Sequence, residues 1–428
     1  MKKSGRVLRG SLLLGLASIS FFSGCSVLPR SSAHRSDTKA FIAYWPPAGN
    51  GNGLKLAVKD NIDMRGVVTT AGSEFLAKHS RPAKRDAACM AIARQRGVKI
   101  VGKTNLSEFA VAPSGLNEYF GTPVNPFRRK LLPGGSSSGS AVAVANGLAD
   151  VAFGTDTAGS VRVPAACCGI VGLKTTHGLI PMTGVYPIDA KELDTVGPMG
   201  KDIAHTVQGM DLLQAGFATQ YAAATAARPS AAGIRIGRLA LKGTSPRIDR
   251  AVNSALARAG FQVIPLDDDF RVKWEQATKD CDTVAAAGAW LSYRAYFSEA
   301  NISARTKSVL AFGRSYFPGK YREALARQRE WQRILRAVFR KVDFIAVPTL
   351  QSTPLVILPG PNVGLTELRM LDLQNTAAVN FAGNPALAMP VPLRHASVPV
   401  TSLQLVGPLR SEAGLLNAGR LVEAALKK

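Results

Sequence analysis

Two short loops concentrate the residues that could do covalent chemistry. The first runs Gly134-Gly135-Ser136-Ser137-Ser138-Gly139-Ser140 and the second Thr155-Asp156-Thr157-Ala158-Gly159-Ser160. Glycine serves where a backbone must adopt positive φ or admit a close neighbour. A serine hydroxyl can donate, accept or, once activated, attack a carbonyl. A packed core would spend such positions on leucine and valine, so the pair looks like a site. Activation needs a base. Five histidines are present, His34, His79, His177, His205 and His395.

Gly135 to Gly139 reads G-x-S-x-G with Ser137 central, the spacing of a hydrolase elbow. An elbow needs an apolar strand directly before it. Here Arg128-Arg129-Lys130-Leu131-Leu132-Pro133 precedes it, and the proline stops a strand. A phosphate cradle at a glycine-rich helix start is physically reasonable, but no G-x-x-x-x-G-K-[ST] occurs. The remaining route uses lysine as base, which requires burial to lower its pKa from about 10.4. Lys59 and Lys103 each end a short apolar strand. A lysine at such a place is ordinarily a snorkelling surface residue, and spacing does not choose between the two.

The elements that must carry these loops alternate strand and helix. Strands are expected over 54–59, 98–101, 151–153, 234–237, 262–266, 344–347, 386–389 and 402–406. Helices are expected over 86–96, 140–146, 246–259 and 411–427, and 272–341 reads as mostly helical. Within it Leu325, Trp331, Leu335 and Val338 share one face, and Arg and Lys fill the other: a core stripe with a solvated back. The alanine-rich stretch 215–232 reads as a surface connection. The expected fold is α/β, one mixed sheet with helices on both faces.

Composition narrows the partners. In 428 residues, 53 basic against 29 acidic side chains give a net charge of +24. The basic residues are scattered and not interleaved with aromatics, which describes a solvated surface, so no nucleic-acid partner is expected. Lys2, Lys3, Arg6 and Arg9 precede an apolar stretch, Ser11 to Phe22, too short to span a bilayer. With Ser23-Gly24-Cys25 this resembles a bacterial lipoprotein signal: residues 1–24 are removed, Cys25 carries lipid, and 25–40 form a polar tether. Export to the periplasmic side of the envelope, at the outer membrane, and a membrane contact through that lipid follow. Cys89, Cys167, Cys168 and Cys281 read as buried small hydrophobes. No CxxC or HExxH spacing occurs, so neither metal nor cofactor is expected.

From about residue 50 to 425 the chain resembles the amidase signature family of serine hydrolases. GLKLAVKDNID (53–63), the segments 85–110 and 117–126, PGGSSSGSAVAVA (133–145) and FGTDTAGSVRVPAACCGIVGLKTTHG (153–178) carry the resemblance. LDTVGPM, VDFIAVPT, FAGNPALAMPV and SLQLVGP follow in the family's order. The resemblance implies a single domain over 41–428 and a Ser–Ser–Lys triad. Lys59 would be the base, Ser136 the bridging serine after a cis peptide bond, and Ser160 the nucleophile 24 residues on. Backbone N–H groups of Thr157, Ala158, Gly159 and Ser160 would hold the oxyanion. Ser137, Asp156 and Arg162 would support the site; the last two either orient the turn or form a structural ion pair. Ser138 and Ala158 stand where glycine is common in the family, and Thr175 where proline is.

The implied activity is hydrolysis of an amide C–N bond in a small molecule or peptide. The alternatives are a non-catalytic envelope binding protein on this scaffold, or an amidotransferase A-type subunit. Residues 210–345, where pocket walls differ between relatives, leave the substrate unnamed.

Overall fold

An 11-stranded sheet runs through the protein, a computed structural model that describes residues 37–46, 53–189, 191–358, 363–394 and 396–427. Its strands are β1 (Phe41–Tyr44), β2 (Lys55–Lys59), β3 (Lys99–Thr104), β4 (Val151–Asp156), β5 (Val171–Lys174) and β6 (Thr195–Gly200). They continue with β7 (Arg235–Arg238), β8 (Gln262–Pro265), β9 (Phe344–Pro348), β10 (Ala386–Pro392) and β11 (Val400–Val406). The order across the sheet is β1-β3-β2-β4-β6-β5-β10-β11-β9-β7-β8. Two parallel groups, β3-β2-β4 and β9-β7-β8, are joined by antiparallel strands. The sheet is therefore mixed, as expected.

Side-chain alternation assigns the faces. On β2, Leu56 and Val58 join one apolar cluster with Phe153, the helix Ile203–Asp211 and the helix Pro246–Ala259. Ala57 joins the opposite cluster, with Ala152 and the helices Ser138–Ala145 and Arg162–Cys168. Lys59, two residues past Ala57, shares that second face. The small side chains there let the serine-rich helix approach closely. A Cβ on Gly139 would lie 2.3 Å from the Ala40 carbonyl oxygen and 2.5 Å from the Asn105 amide nitrogen. A third cluster, built on Trp274, Trp331 and Leu335, packs the long helices Asp268–Tyr293 and Gly319–Val338 against β9.

Several expectations need correction. The stretch 215–232 is more than a connection, for Phe217–Ala227 is an α-helix. Alanine's helix propensity forms it, buried Phe217 anchors it, and Asn417 Nδ2 donates to Ala224 O (3.3 Å) and Arg228 O (2.7 Å). The helix expected over 86–96 is shorter, a 3₁₀ turn Ala88–Met90 followed by Ala91–Gln95. Strands β1, β5 and β6 add to the expected set. β6 carries Pro198 opposite Phe153 in the middle of the sheet, a place where proline's missing donor argues against a strand. Of the tether expected over 25–40, residues 37–40 are described. Ala40 is fully buried and accepts from Asn105 N at 2.9 Å. The signal and Cys25 lie outside the described residues. Cys89, Cys167, Cys168 and Cys281 are free and buried.

Candidate active site

Both lysines that end short strands are buried, 0% exposed for Lys59 and 1% for Lys103, so neither snorkels. Lys103 forms an ion pair with Asp60 (2.8 Å) and donates to Ile62 O (2.7 Å). Lys59 is paired with hydroxyls instead. Its Nζ lies 2.8 Å from Ser136 Oγ, 2.8 Å from Thr155 Oγ1 and 3.5 Å from Thr155 O. Burial pulls the Lys59 pKa down to about 7, against the opposing pull of the Asp156 and Asp194 carboxylates. An amine poised there can accept a proton from Ser136 near neutral pH.

The Gly135–Ser136 peptide bond is cis. Ser137 ties the two loops together: its N–H donates to Ser160 O (3.1 Å) and its hydroxyl to Thr155 O (3.3 Å). Ser136 and Ser137 are fully buried, whereas Ser160 is partly exposed and open to approach.

The turn that carries Ser160 has its carbonyls occupied and its donors spare. Thr376 Oγ1 donates to Ala158 O (2.6 Å) and Val163 N–H to Gly159 O (2.7 Å). Thr157 Oγ1 donates to Asp194 Oδ1 (2.6 Å). The N–H groups of Thr157, Ala158, Gly159 and Ser160 meet no protein acceptor among the described residues. Spare backbone donors beside a partly exposed hydroxyl are what a developing oxyanion would require. Gly159 has φ +146, and a Cβ there would sit 2.2 Å from Thr376 Oγ1. Glycine is required on both counts.

Asp156 and Arg162 meet behind this turn, both 0% exposed. Asp156 accepts from Arg162 Nε (3.1 Å) and Nη2 (2.9 Å), from Val161 N–H (3.1 Å) and from Asn380 Nδ2 (2.8 Å). Arg162 Nη1 continues to Thr376 O (3.0 Å) and Gln404 Oε1 (2.6 Å), and Nη2 to Asn380 Oδ1. Burial alone would raise the Asp156 carboxyl, but Arg162, helped by Lys174, holds it down at about 2. One ion pair thus grips both ends of the turn, so orienting and structural roles coincide.

Sequence reasoning missed several members of this centre. Lys174, inside the quoted motif, is buried and donates to Asn384 O (2.8 Å) and Thr175 O (3.0 Å). Burial, reinforced by Arg162, lowers its pKa to about 7. Thr155, Asn61, Asp194 and Thr376 also touch the site. Thr155 stood in the second loop, and Asn61 and Asp194 in quoted motifs, so these could have been found; Thr376 announces itself only through contacts.

Residues 30–416 match the Amidase family, and the chain belongs to it. It is 31% identical over 414 residues to the A-type subunit of glutamyl-tRNA(Gln) amidotransferase from Halobacterium salinarum, covering 87% of this chain and 95% of that one. The Thermus thermophilus protein of the same description is 32% identical, with 87% and 84% covered. The solved structure of the corresponding Thermotoga maritima protein superposes with a TM-score of 0.74 at 26% identity, covering 90% and 87%. At 22% identity, 6-aminohexanoate cyclic dimer hydrolase shares the fold with a TM-score of 0.76 over 91% and 87%.

Proposed function

We propose that this chain cleaves an amide C–N bond through an acyl-enzyme on Ser160. The observation that carries the proposal is the wholly buried 2.8 Å contact between Lys59 Nζ and Ser136 Oγ, one residue from the amide that binds Ser160 O. Neutral Lys59 takes the Ser136 proton while Ser136 takes the Ser160 proton. The freed Ser160 oxygen bonds to the carbonyl carbon, and the C=O electron pair moves onto oxygen. The spare N–H groups of the 157–160 turn receive that charge. As the tetrahedral adduct collapses the C–N bond breaks, and its nitrogen takes a proton from Ser136, which is resupplied by the Lys59 ammonium. Water then attacks the ester by the same relay, releasing the acid and restoring Ser160.

A second reading, over a free-standing hydrolase, draws support from the relatives above 30% identity named here, which are A-type amidotransferase subunits. In that role the amine released from a donor amide is ammonia, passed to a tRNA-bound amino acid with the help of partner subunits. Export through residues 1–25, with lipid on Cys25, remains our proposal from the signal alone, and it opposes the amidotransferase role.

One set of measurements tests these readings. A fluorophosphonate probe should label the parent protein and not Ser160→Ala; equal labelling of both would refute the acyl-enzyme. Ammonia release from primary amides, co-purified partner subunits and cytosolic fractionation would support the amidotransferase role. Labelled palmitate in an envelope fraction would support the exported amidase.

A further inference from the structure

We propose that Asn61 is a positioning residue for the base: through Thr155 it holds the Lys59 amine against Ser136. The inference rests on the roles given above to Lys59, Ser136 and Ser160, and extends them to a residue two positions past the lysine.

Asn61 is 2% exposed. Its Nδ2 donates to Thr155 Oγ1 (3.1 Å) and to the Tyr186 carbonyl oxygen (3.2 Å). A backbone carbonyl can only accept, so Tyr186 O sets the amide with its nitrogen toward Thr155. Thr155 Oγ1 in turn lies 2.8 Å from Lys59 Nζ, which lies 2.8 Å from Ser136 Oγ. Asn61, Thr155, Lys59 and Ser136 thus form one unbroken hydrogen-bonded line across three segments of chain.

Two features argue that this line serves the amine. Asn61 Oδ1 is buried with no hydrogen-bond partner among the described residues. A bare buried acceptor carries a desolvation penalty, so the side chain is not there to satisfy itself. The Asn61 backbone is already pinned, since Tyr186 N–H donates to Asn61 O at 2.8 Å and Ile62 bridges Val185. What the side chain adds is a second donor on the Thr155 hydroxyl. Lysine's four-carbon stem is flexible. As an ammonium, Lys59 has three N–H groups for Ser136 Oγ, Thr155 Oγ1 and Thr155 O. With Thr155 held from behind, those acceptors keep their places while the proton arrives and leaves.

The test reads fluorophosphonate labelling of Ser160 against pH in the full chain, for the parent, Asn61→Ala, Asn61→Asp and Ser160→Ala, with thermal melts as fold controls. The charged groups facing Lys59 in the parent are Asp156 and Asp194, while Asp60 is engaged by Lys103. A carboxylate in place of Asn61 favours the ammonium, so the acidic midpoint of labelling should rise by about one pH unit in Asn61→Asp. Asn61→Ala should label about tenfold more slowly at saturating probe, with unchanged probe affinity. An Asn61→Ala rate within about threefold of the parent, or an unmoved midpoint in Asn61→Asp, overturns the assignment; either variant suffices if the other does not fold. Labelling of Ser160→Ala at the parent rate would instead refute the acyl-enzyme reading itself.

Discussion

The ends of β2 and β3 lie side by side, and each buries a lysine, yet the two are matched to different partners. Lys103 faces a carboxylate, Asp60, and a backbone carbonyl. Lys59 faces two hydroxyls, with its nearest carboxylates acting only through space. Pairing with a carboxylate holds an ammonium in place and turns a buried charge into structure. Pairing with hydroxyls leaves burial as the dominant force, and burial favours the neutral amine. One register step across the same sheet therefore separates a lysine locked in an ion pair from one held between hydroxyls.

The sharpest way to break this contrast is to delete each partner in turn. Ser160→Ala or Lys59→Ala should lower turnover by about 10⁴–10⁶-fold, as loss of a nucleophile or its base does elsewhere, measured by amide hydrolysis at neutral pH. A parent-like rate in Ser160→Ala would remove the nucleophile, and in Lys59→Ala the base. Gly159→Ala should come next. The new methyl meets Thr376 Oγ1 and displaces the turn's donors, costing about 10²–10³ in rate while circular dichroism stays unchanged.

Lys103→Ala should act on stability instead. It leaves Asp60 buried without its ion pair, at about 3–5 kcal/mol, read from urea unfolding; an unchanged midpoint would show that the ion pair is dispensable. The smallest effect is graded. Activity should fall about tenfold per unit as pH drops below about 7, where Lys59 protonates. Between about 7 and the ordinary value of 10.5 the unfolded chain holds a proton that folded Lys59 has released. Its contribution to stability therefore rises with pH across that window. A pH-rate profile and unfolding curves at pH 6 and 9 check both statements, and Lys59→Met should shrink the stability trend without abolishing it, because Lys174 releases its proton over the same window.

Local chemistry made much of this legible. Pro246 at the first turn and Gly260 at φ +81 bound the helix Pro246–Ala259 at the limits its sequence announces. The glycine and serine loops advertised themselves because no core would be built from them. Short strands were harder to see: β5 is four residues long and β6 contains a proline and two glycines, so their pairing partners, not their propensities, make them strands. The alanine-rich stretch became a helix because Phe217 found a core to enter.

Residue order alone named the candidates: two loops of hydroxyls, two strand-end lysines and a chain of alternating elements to carry them. Strand-end spacing left Lys59 and Lys103 level and the family resemblance pointed to Lys59, but its contact with a serine exists only in the folded chain. Ser136 lies 77 residues from Lys59 and Thr155 lies 96 away. An amine's charge at neutral pH depends on the water removed from around it and on the carboxylates within reach. Both are properties of packing, and no local pattern encodes them.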